Sequence, residues 1–180
     1  YPILWMRKDW LDALGLEEPK TMEQVFDIAE KFALSDPDGN GKDDTYGLYL
    51  DKDLNGLDFI MAAYEVYSKD EYWVKQEDGS FIAGCTAPDA KKPLGALAKL
   101  YEEGAIDHEF AVKEQSKEEE LIASGQIGIY IGYFYSPLGV MKDSVANTGA
   151  DWVAVPMPAA EGYSDYKPGV NLNVYGYIYA

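Results

Sequence analysis

Apolar residues along this chain fall into short runs whose spacing switches between helical and strand periods. Trp10, Leu11 and Leu14 share one helical face, Gly15 stops the run and Pro19 follows, so residues 5–14 read as a short helix. Thr21, Met22, Glu23 and Gln24 form a capping box that opens a second helix reaching Leu34. Its apolar set is Val25, Ile28, Ala29 and Phe32, at helical spacing. A short strand is predicted over 46–50, a polar loop over 51–55 and a helix over 57–67. Residues 72–82 read as a hairpin turning at 77–80. Helices follow over 87–103, with a loose start around Pro93, and over 116–124, each ended by a glycine. A strong strand at 127–131 leads into Gly132, Tyr133, Phe134, Tyr135 and Ser136. A helix over 137–145 and strands over 152–155 and 173–179 complete the pattern.

Alternating helices and short strands predict an α/β layer architecture. In open α/β sheets, ligands sit beyond the carboxyl ends of strands. Two segments fall at such positions: residues 51–55 after the 46–50 strand, and residues 133–136 after the 127–131 strand. There is no internal repeat and no low-complexity segment.

The stretch between the second helix and the 46–50 strand carries separate chemistry. Asp36, Asp38 and Asn40 place side-chain oxygens at positions 1, 3 and 5 of an EF-hand-type calcium loop, Gly41 takes the turn position, Lys42 offers its carbonyl at position 7 and Asp44 falls at position 9. Position 12, where an EF-hand needs a bidentate Glu, is Gly47, so this is not a paired EF-hand. A plain turn is the competing reading, since Asp, Asn and Gly favour turns on their own. A calcium ion held here would be structural, because no nucleophile or base adjoins it. Its affinity is expected on the order of 0.1–1 mM.

Composition narrows the partners. With 180 residues and 47% hydrophobic content, the chain has enough material for a globular core. The net charge of −17 excludes a basic nucleic-acid patch and disfavours anionic membrane surfaces. Aromatic content is 14%, rich in the amphipathic residues suited to binding surfaces. Cys85 and His108 are the sole residues of their types, which excludes an internal disulfide, thiolate metal clusters and His-rich zinc sites. No run is long enough to span a membrane. Glu118, Glu119 and Glu120 read as a solvated face at a helix N-terminus, and Trp5 and Trp10 as packing residues.

Several segments together resemble a family. Leu4-Trp5-Met6-Arg7-Lys8-Asp9-Trp10-Leu11-Asp12, followed by Leu14-Gly15-Leu16 and Pro19-Lys20-Thr21, is similar to the second-lobe entry of extracellular solute-binding proteins, the substrate receptors of ABC importers, in their sugar- and oligosaccharide-binding branch. The Asp36 loop resembles a calcium loop of some oligosaccharide-binding members. Thr45 stands where those members often carry a further acidic residue. Leu100-Tyr101-Glu102-Glu103-Gly104-Ala105-Ile106-Asp107 and Ser124-Gly125-Gln126-Ile127-Gly128 fit in order.

The resemblance implies one lobe of a two-lobed, type II periplasmic-binding-protein-like fold: a short mixed sheet flanked by helices, with residues 1–180 as a single domain and hinge strands at residues 1–4 and 175–180. It implies a non-enzymatic receptor that holds carbohydrate between two lobes. Its partners would be the missing first lobe and the permease subunits of the transporter. The location would be the cell surface as a lipoprotein, with a lipid anchor outside this segment, or the periplasm. Ligand contacts are expected from Tyr133, Phe134 and Tyr135, with Asp51 and Asn55 from the other loop: sugar C–H faces pack on aromatic rings, and carboxylates or amides meet hydroxyls. Two alternatives remain at this point, a fragment of a carbohydrate-active enzyme with a structural calcium and a calcium-dependent module of the dockerin kind.

Overall fold

The computed structural model describes residues 3–68, 73–76, 78–163 and 165. The expected strand at 173–179 and hinge strand at 175–180 lie outside the described residues, as do Tyr1, Pro2, Tyr72 and Glu77.

A four-stranded mixed sheet organises these residues, in the order β2-β5-β1-β6. Strand β1 (Ile3–Arg7) is central and antiparallel to both β5 (Ile127–Gly132) and β6 (Trp152–Val155). Strand β2 (Tyr46–Leu48) runs parallel to β5, with Tyr46 opposite Ile127 and Leu48 opposite Ile129. Parallel strands share a carboxyl end, so the loops after β2 and after β5 emerge on the same side.

Residues 5–7 correct the sequence expectation. Trp5, Met6 and Arg7 belong to β1, and the helix α1 starts only at Lys8 (Lys8–Leu14). Tertiary pairing overrides local spacing here: Trp5 lies opposite Tyr130 on one side and Ala154 on the other. Leu4 and Met6 are fully buried in the larger apolar cluster, while Trp5 packs against the smaller one. Arg7 is also buried. Its guanidinium bonds Asp9 and the carbonyl of Gly125 (3.0 Å), and lies 4.4 Å from the Trp10 ring centre.

Helix α2 (Met22–Leu34) keeps its predicted bounds. Thr21 Oγ1 accepts from the Gln24 N–H at 3.3 Å. Gln24 reaches back one residue further than a regular capping box, accepting from Lys20 N–H at 2.7 Å. Its face of Met22, Val25, Ala29 and Phe32 is buried against β2 and the sheet centre. Two glycines make this possible. A Cβ on Gly47 would stand 1.9 Å from the carbonyl oxygen of Ala29, and one on Gly128 would stand 2.3 Å from Phe32 and 2.9 Å from Trp10. Trp10 meets Phe32 edge-on, ring centres 5.3 Å apart.

The other elements are α3 (Leu57–Ala62), the hairpin β3 (Trp73–Lys75) and β4 (Phe81–Ala83), α4 (Lys91–Glu102), α5 (Gln115–Ala123) and α6 (Val140–Thr148). The predicted helix at 57–67 is shorter than expected, because Glu65 adopts a positive φ of 54° that breaks the run. The predicted start of α4 at 87 is a 3-10 turn over Pro88–Ala90. Helix α4 packs on α2, while α5 and α6 pack on each other and bury Ile122 and Met141 with Ile127 and Tyr49 in the second cluster. No helix among the described residues is long and apolar enough to cross a membrane.

Candidate functional site

The shared carboxyl end of β2 and β5 opens into a cleft of about 730 Å³, in the range of small-molecule sites. Both loops flagged in the sequence bound it, together with the start of α3, Ser68, Glu119 of α5 and the residues before α6.

The loop after β2 is organised by Asp51. This carboxylate is 1% exposed. It accepts from the Asp53 N–H (3.1 Å), the Asn55 N–H (3.0 Å) and the Asn55 side-chain amide (2.8 Å), with the Tyr49 hydroxyl at 3.4 Å. Bonding of this kind replaces the backbone ladder in a tight turn. It holds Leu54, half-exposed at the cleft, at φ 56°, a region that branched side chains seldom enter. Asn55 gives one of its two amide hydrogens to Asp51, so its side chain keeps one N–H donor and its acceptor oxygen.

The loop after β5 carries the aromatic triplet. Tyr133 and Tyr135 stack with ring centres 5.3 Å apart and planes 13° from parallel, and both line the cleft. Two bonds fix the segment: Ser136 Oγ accepts from Tyr133 N–H at 3.0 Å, and Trp5 Nε1 donates to the Tyr133 carbonyl at 3.3 Å. Phe134 sits edge-on to Tyr135, is 75% exposed, and is not among the cleft-lining residues. The structure thus brings Tyr133, Tyr135, Asp51 and Asn55 to one cleft and leaves Phe134 on its outside.

Sequence reasoning missed other lining groups. Tyr130 lies on the cleft wall, meets Tyr49 edge-on at 5.2 Å, and has its hydroxyl pKa pushed up mainly by burial. The alternation of β5 offered a signal for it. Glu119 is half-buried and lines the cleft instead of lying on a wholly solvated face, because α5 packs against α6 beside the β5 loop. Asp58 also lines the cleft and accepts from the Ser68 hydroxyl.

The Asp36 loop lies at the opposite end of β2. Asp36 accepts from the Asn40 and Gly41 N–H groups (3.1 and 3.0 Å), and Asn40 Oδ1 accepts from Lys42 N–H at 2.8 Å. The Asn40 amide nitrogen bridges Asp38 (2.8 Å) and Asp44 (3.1 Å), a donor standing between two carboxylates where a cation would stand. The Asp38 pKa is raised, first by desolvation and then by the neighbouring Asp36 and Asp44. Crowded carboxylates and an amide that can turn its oxygen inward fit a hard cation in donor type. As they stand, no three acidic, imidazole or thiol side chains among the described residues converge tightly enough to hold a metal. The loop is pinned at its exit: Gln126 donates to the Asp44 carbonyl at 2.8 Å, and Thr45 Oγ1 donates to the Phe32 carbonyl at 2.9 Å. Thr45, at the position where the resembled loops often carry a further acidic residue, is therefore a buried tie to α2.

A mixed α/β sheet with a polar and aromatic cleft at its parallel carboxyl ends is the architecture of a small-molecule-binding lobe. The chain belongs to the bacterial extracellular solute-binding protein family, whose profile matches residues 1–180. It is 37% identical over 128 residues to the polygalacturonan/rhamnogalacturonan-binding protein YtcQ of Bacillus subtilis (strain 168), covering 71% of this chain and 25% of that protein. It is 32% identical over 107 residues to the fructooligosaccharide ABC transporter substrate-binding protein FusA of Streptococcus pneumoniae serotype 4, covering 58% of this chain and 20% of that protein. The solved structure of FusA with kestose superposes with a TM-score of 0.70 at 25% identity, over 89% of this chain and 32% of the other. An extracellular solute-binding protein from Bifidobacterium longum subsp. infantis gives 0.71 at 24% identity, over 91% and 34%. The chain thus spans a quarter or less of the length of these two sequence relatives and about a third of these solved structures. These relatives are binding proteins, not enzymes. That sets aside the enzyme-fragment and dockerin readings.

Proposed function

We propose that this chain forms part of the second lobe of a carbohydrate receptor that presents oligosaccharide to an ABC importer at the outer face of the cell. The carrying observation is the stacked Tyr133–Tyr135 pair facing the Asp51-organised loop across one cleft. Tyr133 and Tyr135 offer ring faces to sugar C–H surfaces, and the Asn55 oxygen accepts a hydroxyl proton. Asp51 acts through the loop it orders. Phe134, outside the cleft, would meet ligand or the first lobe only when the two lobes close. Permease subunits are the partners of the closed receptor, and a lipid anchor outside this segment would hold it at the cell surface. In the Asp36 loop, calcium would be held by Asp36, Asp38, Asn40, Asp44 and the Lys42 carbonyl, as a structural clip joining α2 to β2.

The relatives are named for both neutral and acidic chains, so the test uses both. Full-length protein is screened by thermal shift and calorimetry against kestose, raffinose, maltotriose, galactotriose, xylotriose and trigalacturonate, with calcium or chelator. Saturable binding of at least one sugar without turnover is expected. Failure of every sugar to bind in calcium, or hydrolysis at enzymatic rates, would refute the reading.

A further inference from the structure

The turn that carries the stacked rings is closed twice by one buried residue, Ser136. Its N–H donates to the Tyr133 carbonyl at 3.0 Å, and its Oγ accepts from the Tyr133 N–H at 3.0 Å. The Trp5 indole adds a bond to the same carbonyl. Both main-chain polar groups of Tyr133 are therefore held, and its ring leaves the turn in a fixed direction. Tyr135, two residues on, stacks against that ring and is tied in turn, its carbonyl accepting from the Leu138 N–H at 2.9 Å.

A hydroxyl that accepts from an N–H still has its own proton to give. The Tyr130 phenol stands beside it. Burial raises the phenol pKa, and the Ser136 hydroxyl pulls against that rise, as a donor to the phenol oxygen does. Gly132, the last residue of β5, makes the room. A Cβ there would stand 2.2 Å from Cε1 of Tyr130, 2.8 Å from its Cζ and 2.6 Å from Ser136 Oγ. The Tyr130 ring and the Ser136 hydroxyl share the volume that a side chain at 132 would fill.

We propose that Ser136 is a positioning residue for sugar binding: from a slot that Gly132 leaves open, it holds the Tyr133–Tyr135 pair in its cleft-facing geometry before ligand arrives. The proposal rests on the carbohydrate-receptor reading. Rings already in place lose less freedom when a sugar packs on them, so the benefit appears as affinity. The test is a double-substitution cycle in the full-length protein, read by calorimetry against the tightest-binding sugar of the panel above. Ser136→Ala removes the acceptor and keeps both rings, and should weaken binding by about fivefold, the worth of one ordinary hydrogen bond. Tyr133→Ala alone should cost roughly tenfold. Acting through Tyr133, Ser136 has little left to do once that ring is gone, so the double variant should lose about tenfold and not the roughly fiftyfold product. Ser136→Cys, close in shape and a much weaker acceptor, takes the place of Ser136→Ala in the cycle if that variant does not fold. Losses that multiply would overturn the proposal, because a serine that touches sugar by itself, or merely supports the fold, weakens binding with or without the Tyr133 ring. Ser136 variants that bind as tightly as the parent would overturn it too. Either result leaves the receptor reading standing, whereas silence of the unsubstituted protein towards the whole panel removes that reading.

Discussion

Gly47→Ala tests the packing that positions both the metal-type loop and the cleft. Its Cβ would stand 1.9 Å from the Ala29 oxygen, 2.4 Å from its carbonyl carbon and 2.6 Å from its Cα. These are backbone atoms of α2, so no rotamer change relieves the clash. Restoring ordinary contact requires strand and helix to part by about 1.5 Å in an interior packed at crystal-like density. The strand cannot retreat freely, because the N–H groups of Gly47 and Leu48 both donate to the Ala105 carbonyl, at 2.9 and 3.0 Å. The helix cannot part from the sheet without opening the contacts of Met22, Ala29 and Phe32, which are fully buried on the face it turns to β2. Overpacking costs about 1–3 kcal/mol where side chains can yield; against backbone on both sides the top of that range applies, about 3 kcal/mol. For a unit of this size that is a fall in melting temperature of about 6–12 °C. Thermal denaturation followed by circular dichroism, in chelator so that metal plays no part, reads it directly. A melting temperature within about 2 °C of the parent would refute the close approach of β2 to α2.

Gly95 provides the opposite case. It lies exposed within α4 with nothing within 4 Å of a built Cβ, so Gly95→Ala should stabilise by about 0.5–1 kcal/mol in a urea melt. At the calcium-type loop, 1 mM calcium acting at a dissociation constant of about 0.1 mM should add about 1.4 kcal/mol, or about 3–6 °C in a thermal shift. Asp38 has a raised folded pKa, so in chelator its contribution to stability is present below 3.8 and lost as pH rises through the raised value. Asp38→Asn should therefore raise the melting temperature in chelator at neutral pH while reducing the gain from calcium; a loss in both conditions would contradict the loop's proposed role. At the cleft, Tyr133→Ala or Tyr135→Ala should weaken the best sugar by roughly tenfold in calorimetry. Asp51→Asn should weaken it indirectly, accompanied by a lower melting temperature, because a buried acceptor of three loop bonds is compromised.

The α/β class, the bounds of α2 and the two loops that line the cleft were legible because local signals agreed with the tertiary outcome: a cap at Thr21, a helical stripe through Phe32, and glycine and polar punctuation after each strand. Residues 5–7 were not legible, since only pairing with β5 and β6 makes them a strand. Nor was Glu119, whose neighbours in sequence are polar and whose place in the cleft depends on how α5 meets α6. The division of labour at the cleft was also hidden. Sequence pointed equally to Asp51 and Asn55, or to Tyr133, Phe134 and Tyr135, while burial separates the organiser from the presenter and stacking separates the cleft pair from the outer ring.

Position 12 of the calcium-type loop shows how far a motif can be read without its surroundings. In sequence, Gly47 is simply a missing ligand. In the structure it is a residue of β2 pressed on the α2 backbone, where any side chain collides with Ala29. The loop's first nine positions and its last therefore serve different demands. Positions 1, 3, 5, 7 and 9 would offer oxygens to a cation, while position 12 is occupied by strand–helix contact and the Thr45 and Gln126 bonds fasten the exit instead. Restoring the EF-hand pattern with Gly47→Glu should consequently destroy the fold before it adds a ligand, giving a variant that melts below even Gly47→Ala and gains nothing further from calcium. A Gly47→Glu protein that stays folded and binds calcium more tightly than the parent would show that the loop's exit is free to move, and that the contact with α2 is not what set the residue at this position.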